Sequence, residues 1–148
     1  MIRDNEEDKM NQTKISVIMP SLNVSKYIKQ CLQSVLNQTL EDIEIICVDG
    51  GSTDGTLDII QQYVKKDNRV KLIHSDIKSY GYQMNLGIKE ASGDYIGIVE
   101  TDDYIQSDMY ERLYDVVVGN PEEEIDFVKG SYNQIAECKG KVICLPFT

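Results

Sequence analysis

The sequence predicts an α/β fold, a doubly wound and mostly parallel sheet in three layers, α/β/α. Short runs rich in Ile and Val alternate with segments whose apolar residues recur at helical spacing, in the order strand, helix, strand, helix, strand, helix, strand. Parallel neighbours need crossover connections, which are right-handed, so such an order covers a sheet on both faces. In the commonest strand order, 3-2-1-4, the ligand crevice opens at the carboxyl ends of the first and fourth strands. That order collects three distant segments at one rim: Pro20-Ser21-Leu22-Asn23, Asp49-Gly50-Gly51-Ser52 and Glu100-Thr101-Asp102-Asp103.

The elements follow in order. Residues 1–13 are polar and aperiodic and read as a disordered lead-in to a fold starting near Lys14, which spans 14–148 as one domain. Ile15 to Met19 is a strand that Pro20 should stop. Tyr27 to Gln38 has Tyr27, Ile28, Cys31, Leu32, Val35 and Leu36 at helical spacing, and Ile43 to Val48 is the second strand. Thr53 to Lys66 is the second helix, capped by Ser52 or Thr53, and Val70 to Ile73 a short third strand. Tyr82 to Ala91 makes a third helix ended by Gly93, and Tyr95 to Val99 leads into the acidic cluster. Beyond it, a helix through Met109, Leu113, Val116 and Val117 stops at Gly119-Asn120-Pro121. Ile125 to Tyr132 reads as a strand, and Ile135 to Phe147 as a hairpin turning at Lys139-Gly140-Lys141.

Composition narrows the function. The chain has 148 residues, 41% of them hydrophobic, enough for a real core. A formal charge of -10 argues against nucleic acid as a partner, since binding by charge needs a basic surface. Any phosphate bound here needs local help. Cys31, Cys47, Cys138 and Cys144 lack Cys-x-x-Cys spacing, which favours free thiols in a reducing compartment. No apolar run reaches the ~18 to 20 residues of a membrane span, and Met1 to Asp8 is too acidic for a signal peptide. A cytoplasmic location is expected, with peripheral membrane association open for a longer protein.

The acidic cluster carries the strongest chemical signal. On extended backbone Glu100 and Asp102 would point one way and Asp103 the other. Carboxylates side by side at a strand end repel unless water, a base or a hard cation offsets them, so the segment is either a solvated turn or a metal site. Asp49, last in its strand before Gly50 and Gly51, can accept hydrogen bonds from an N-H-rich base edge, or the loop can simply make a turn. Asn23 offers a donor and an acceptor, and Asn85 can face the crevice or cap a turn. Walker, dinucleotide and EF-hand patterns are absent. The lone His74, at a strand end, reads as structural.

Taken together, Ile15 to Pro20 with Asn23 and Tyr27-Ile28, Val48 to Thr56, Gly81, Asn85 to Ile88, Ala91 to Ile96 and Asp102-Asp103 resemble a family 2 glycosyltransferase of the GT-A fold, over roughly Lys14 to Asp108. The resemblance implies a nucleotide-diphospho-sugar donor, most often a UDP-sugar, and a divalent cation, Mn2+ or Mg2+. It places Pro20, Ser21, Asn23, Asn85 and Asp102 in the donor pocket, with Asp49 on the uracil base. It assigns the metal to Asp102, with Asp103 and Glu100 beside it. It also implies an inverting, metal-assisted transfer to a glycan or lipid-linked acceptor hydroxyl, in cell-surface polysaccharide or glycan synthesis.

This sequence departs from the pattern at two positions. Glu100 stands where the family has Asp, and Gly50 where many relatives carry a second Asp. The catalytic base, an Asp or Glu, has no convincing candidate between Asp108 and Thr148, where Asp126 begins a strand and Glu122-Glu123-Glu124 reads as a solvated loop. It is expected beyond Thr148, which makes the chain the donor-binding portion of a longer enzyme. A nucleotidyltransferase is the alternative, though its Gly-rich basic loop is missing from Pro20 to Ser25. A non-catalytic nucleotide-sugar-binding domain is the third reading.

Overall fold

In the computed structural model, which describes residues 12–138 and 141–146 with side chains as far as Asn133, strands and helices alternate as expected. They are β1 (Ile15–Ser21), α1 (Ile28–Leu36), β2 (Ile43–Asp49), α2 (Thr56–Lys66), β3 (Val70–His74), α3 (Tyr80–Glu90) and β4 (Tyr95–Ile98). These strands form one all-parallel sheet in the order β3-β2-β1-β4. The chain divides into two compact units, one ending at Asp108 and the other beginning at Met109. The second unit holds α4 (Met109–Val118) and an antiparallel pair, β5 (Asn133–Cys138) and β6 (Lys141–Pro146). The hairpin is therefore present. Its tip at Lys139-Gly140, the side chains of Cys138 and Cys144, and the lead-in as far as residue 11 lie outside what is described.

Burial explains the strand sequences. β1 and β2 are covered on both faces and buried along their whole length, so they read as nearly continuous apolar runs. Ile18, Ile46, Val48 and Met84 form a core cluster, with Ile73, Leu86 and Ala91 packed against it. α1 and α2 pack on each other, while α3, whose crossover runs the opposite way across the sheet, packs on β1 and β2. Gly87 lets α3 approach closely, since a Cβ there would stand 2.5 Å from Ile18 Cγ2. Cys31 and Cys47 are free buried thiols. Among the described residues, no helix is long and apolar enough to cross a membrane.

Four local expectations are corrected. Pro20 does not stop β1, which pairs with β2 through Pro20 and Ser21. Ile18 O receives the Val99 amide and Ser21 O the Gly50 amide, so alternate residues bond to opposite neighbours. Pro20 therefore faces β4, beyond the end of that ladder at Ile18, where no N-H is needed. Second, residues 125–132 form no strand, because their alternation finds no partner ladder, and Phe127 is 77% exposed. Third, Ser52 and Thr53 do not cap α2: its N-cap is Gly55 at φ 93°, and Asp54 Oδ1 accepts the Thr56 amide. The fourth concerns the acidic cluster, taken up with the site below.

A buried polar knot closes the opposite end of the sheet. Glu44, 5% exposed, accepts hydrogen bonds from Ser16 Oγ, Ser92 N, Ser92 Oγ and Lys71 Nζ, and Ser16 Oγ also accepts from Gly93 N at 2.8 Å. Burial pushes the Glu44 carboxyl up, but the bonds from Lys71, Ser16 and Ser92 outweigh it and hold it at about 2, below its ordinary 4.5. A depressed pKa contributes stability that is complete above 4.5 and is lost as pH falls toward 2. Glu44→Gln should therefore lower neutral-pH stability by about 2 kcal/mol. It should also flatten the fall of the urea midpoint between pH 4.5 and 2; an unchanged acid profile would remove Glu44 from that role.

Candidate functional site

The carboxyl ends of β1, β2 and β4 carry the three segments expected at one rim. The β1 and β2 loops are laced together by polar groups. Asn23, at φ 53°, donates its amide to Ser52 Oγ at 2.9 Å and accepts from Thr53 N at 2.8 Å through Oδ1. Val24 N reaches Thr56 Oγ1, and Ser25 N reaches Asp54 Oδ2 at 3.0 Å. Bonds from Thr56 and Ser25 hold the Asp54 carboxyl well below the usual carboxylate range. The rim is thus set without any ligand.

Asp49 is the centre of that lacing. Its carboxylate accepts from Gly51 N at 2.9 Å, Ser52 N at 2.8 Å, Ser52 Oγ and Ser21 Oγ, and the residue is 0% exposed. Three of these bonds come from its own loop, while Ser21 Oγ, 3.3 Å from Asp49 Oδ1 and 3.4 Å from Val48 O, has one hydrogen for the two. In the structure Asp49 anchors the loop. Ser21, 2% exposed, is likewise turned inward on Asp49, and Pro20 is buried, its carbonyl accepting from Thr101 Oγ1 at 2.9 Å. Asn23 stays exposed, with its Nδ2 donor unspent among the described residues.

Asn85 lies off the buried face of α3. α3 buries Gln83, Met84 and Gly87 on the sheet, and Asn85, two residues and some 200° round the helix from Gln83, is exposed. Gln83 reaches the rim instead. Its Nε2 donates to Ser21 O at 2.9 Å and to Val48 O at 3.3 Å. The sequence held a signal for this, since Gln83 and Gly87 are four apart and share a helix face.

The acidic segment is a turn, not extended backbone. Asp103 N donates to Glu100 O at 3.0 Å, and Thr101 is buried by its bond to Pro20, so strand alternation does not govern these side chains. Glu100 Oε1 receives the Tyr80 hydroxyl at 2.6 Å, a bond that pushes the phenol up to about 12. Asp102 and Asp103 are exposed, and among the described residues their carboxylates have neither hydrogen bond nor ion pair. Burial, then the charges of Asp102 and Glu100, raise the Asp103 carboxyl above its ordinary value. Burial, then Asp103, Asp102 and Glu100, likewise push the Cys31 thiol beneath the turn up to about 12, and Cys31 Sγ lies 3.5 Å from Glu100 O. The thiol is therefore neutral. Among the described residues no three ligating side chains are already gathered around a metal position. Neighbouring carboxylates without partners still suit a hard cation arriving with further oxygen ligands.

Residues 16–134 match the model of Glycosyl transferase family 2. The chain belongs to this family. Every candidate residue from Pro20 to Asp103 lies within the matched span. The chain is 41% identical over 127 residues to glycosyltransferase GlyG of Streptococcus pneumoniae, covering 85% of this chain and 41% of that protein. It is 47% identical over 105 residues to poly(ribitol-phosphate) beta-glucosyltransferase of Bacillus spizizenii, covering 68% of this chain and 17% of that one. Among solved structures it is similar to residues 1–349 of S. aureus TarS in complex with UDP, with a TM-score of 0.64 and 33% sequence identity, covering 74% of this chain and 32% of that 1–349 chain. The chain thus spans less than half the length of these family 2 relatives. The parallel sheet with helices on both faces is the GT-A arrangement expected of the family.

Proposed function

We propose that this chain forms the donor-binding part of an inverting glycosyltransferase that moves a sugar from a UDP-sugar to an acceptor hydroxyl, in cell-surface polysaccharide or glycan synthesis. The observation that carries the reading is the turn at Glu100 to Asp103, whose two unpaired carboxylates stand at the carboxyl end of the sheet in a family 2 chain. Similarity to a TarS structure holding UDP and to a poly(ribitol-phosphate) glucosyltransferase supports the donor and the polysaccharide setting.

In this reading Asp102 and Asp103 hold a divalent cation, Mn2+ or Mg2+, together with the donor diphosphate. Bound there, the cation neutralises charge growing on the departing nucleoside diphosphate. The chain's own contribution is placement. Tyr80 fixes Glu100, leaving that carboxylate for ribose or water, and Asn23 offers its amide donor at the rim. Asp49 and Ser21 keep the loop in shape. The acceptor is a glycan or lipid-linked hydroxyl, and the base that takes its proton belongs to the rest of a longer enzyme.

Calorimetric titration with UDP, GDP, dTDP and CDP, each with and without Mn2+, tests the reading. UDP binding that strengthens about tenfold or more with Mn2+ is expected, because the cation would offset the charges of the carboxylates and of the diphosphate together. Binding that ignores the metal, or no binding of any nucleotide, would sink it.

A further inference from the structure

Gln83 at the rim is almost fully buried yet only half used. It is 5% exposed, and its Nε2 spends its hydrogens on Ser21 O and Val48 O, the last carbonyls of β1 and β2 on that side. Both partners are acceptors, so the orientation of the amide is fixed and Oε1 is left as the free end. Oε1 accepts no hydrogen bond among the described residues, and it is not sealed from solvent. Gly50 belongs to the same arrangement. A Cβ there would stand 2.5 Å from Gln83 Nε2, so the side-chain space that relatives fill with a second Asp is filled here by the Gln83 amide.

We propose that Gln83 Oε1 is the base-selecting acceptor of the donor pocket, taking the ring imide N-H of a uracil; the inference rests on the donor-binding reading above. Asp49 is fully buried with its carboxylate turned into its own loop, and Gly50 has no side chain, which leaves the Gln83 oxygen as a fixed acceptor where β1 and β2 end. A neutral amide recognises the imide without adding another negative charge opposite a diphosphate. Cytosine presents a bare ring nitrogen at the same position, acceptor against acceptor, and a site built for a hydrogen bond rejects a ligand that cannot make it.

The test is titration of the chain with UDP, CDP and N3-methyl-UDP in Mn2+, for the wild type, Gln83→Met and Gly50→Ala. The wild type should bind UDP about tenfold more tightly than either analogue, the effect of one well-placed hydrogen bond. Gln83→Met, similar in volume, should lose that preference by weakening UDP alone. If thermal melting shows that it does not fold, Gly50→Ala, which presses on Nε2, should give the same loss. A wild type that binds UDP and CDP equally overturns the proposal without any variant. A folded Gln83→Met that keeps the preference overturns the role of Gln83 and leaves donor binding standing. No nucleotide binding by the wild type brings down both.

Discussion

Asp102→Ala is expected to weaken Mn2+-dependent UDP binding by about a hundredfold or more, the order of effect that follows removal of a group stabilising diphosphate charge. Fold stability should hardly change, because the Asp102 carboxylate is exposed and makes no hydrogen bond among the described residues. Relief of like-charge repulsion can even raise it slightly. Glu100→Gln should cost far less, since one of its oxygens already serves the Tyr80 hydroxyl. Titration at fixed Mn2+, with a thermal melt of each variant, separates the two effects. Equal losses from both substitutions would mean that the cluster acts as diffuse charge, with no particular ligand.

Gly93→Ala should produce the largest loss of stability of any single methyl added to the fold, about 3 kcal/mol. A Cβ there would lie 2.7 Å from Ser16 N and 2.9 Å from Ile15 C, backbone atoms of a central strand that cannot swing aside. It would also disturb the Gly93 N to Ser16 Oγ bond and, through Ser16, the buried Glu44. Gly81→Ala is the matched control. Nothing lies within 4 Å of its added Cβ, and it stands in the first turn of α3, so a gain of about 0.5 kcal/mol is expected. Gly87→Ala should fall between them, because the atoms it meets, Ile18 Cγ2 first, belong to a side chain and not to the backbone. Urea unfolding of the three variants gives the order; a mild Gly93→Ala would show that the turn before β4 can relax.

The fold was legible because its cause is local and repeated. Two central strands buried on both faces must be apolar throughout, and helices laid on them must be apolar on one side, so both periods are written along the chain. The order β3-β2-β1-β4 is the commonest one for a doubly wound sheet, and this sheet adopts it. Pro20 misled because a proline's cost depends on which neighbour its missing N-H would face. The alternating stretch at Ile125 to Tyr132 misled because a strand exists only where another chain segment completes its ladder.

The candidate site divides in the same way. From residue order alone come the family resemblance, the rim that gathers Asn23, Asp49 and Asp102, and the acidic cluster itself. Folding then settles which polar groups are spent. Asp49 is tied to its own loop, Asn85 is exposed, Gln83 reaches Ser21 O, and Tyr80 claims Glu100. Apart from the Asp49 loop itself, those partners lie far apart in the chain, and a hydrogen bond, unlike a hydrophobic period, leaves no trace in the spacing of either residue. The sequence therefore determines where chemistry can gather, while the fold decides which atoms remain free to take part, because each donor and acceptor is satisfied by whatever the tertiary structure brings beside it.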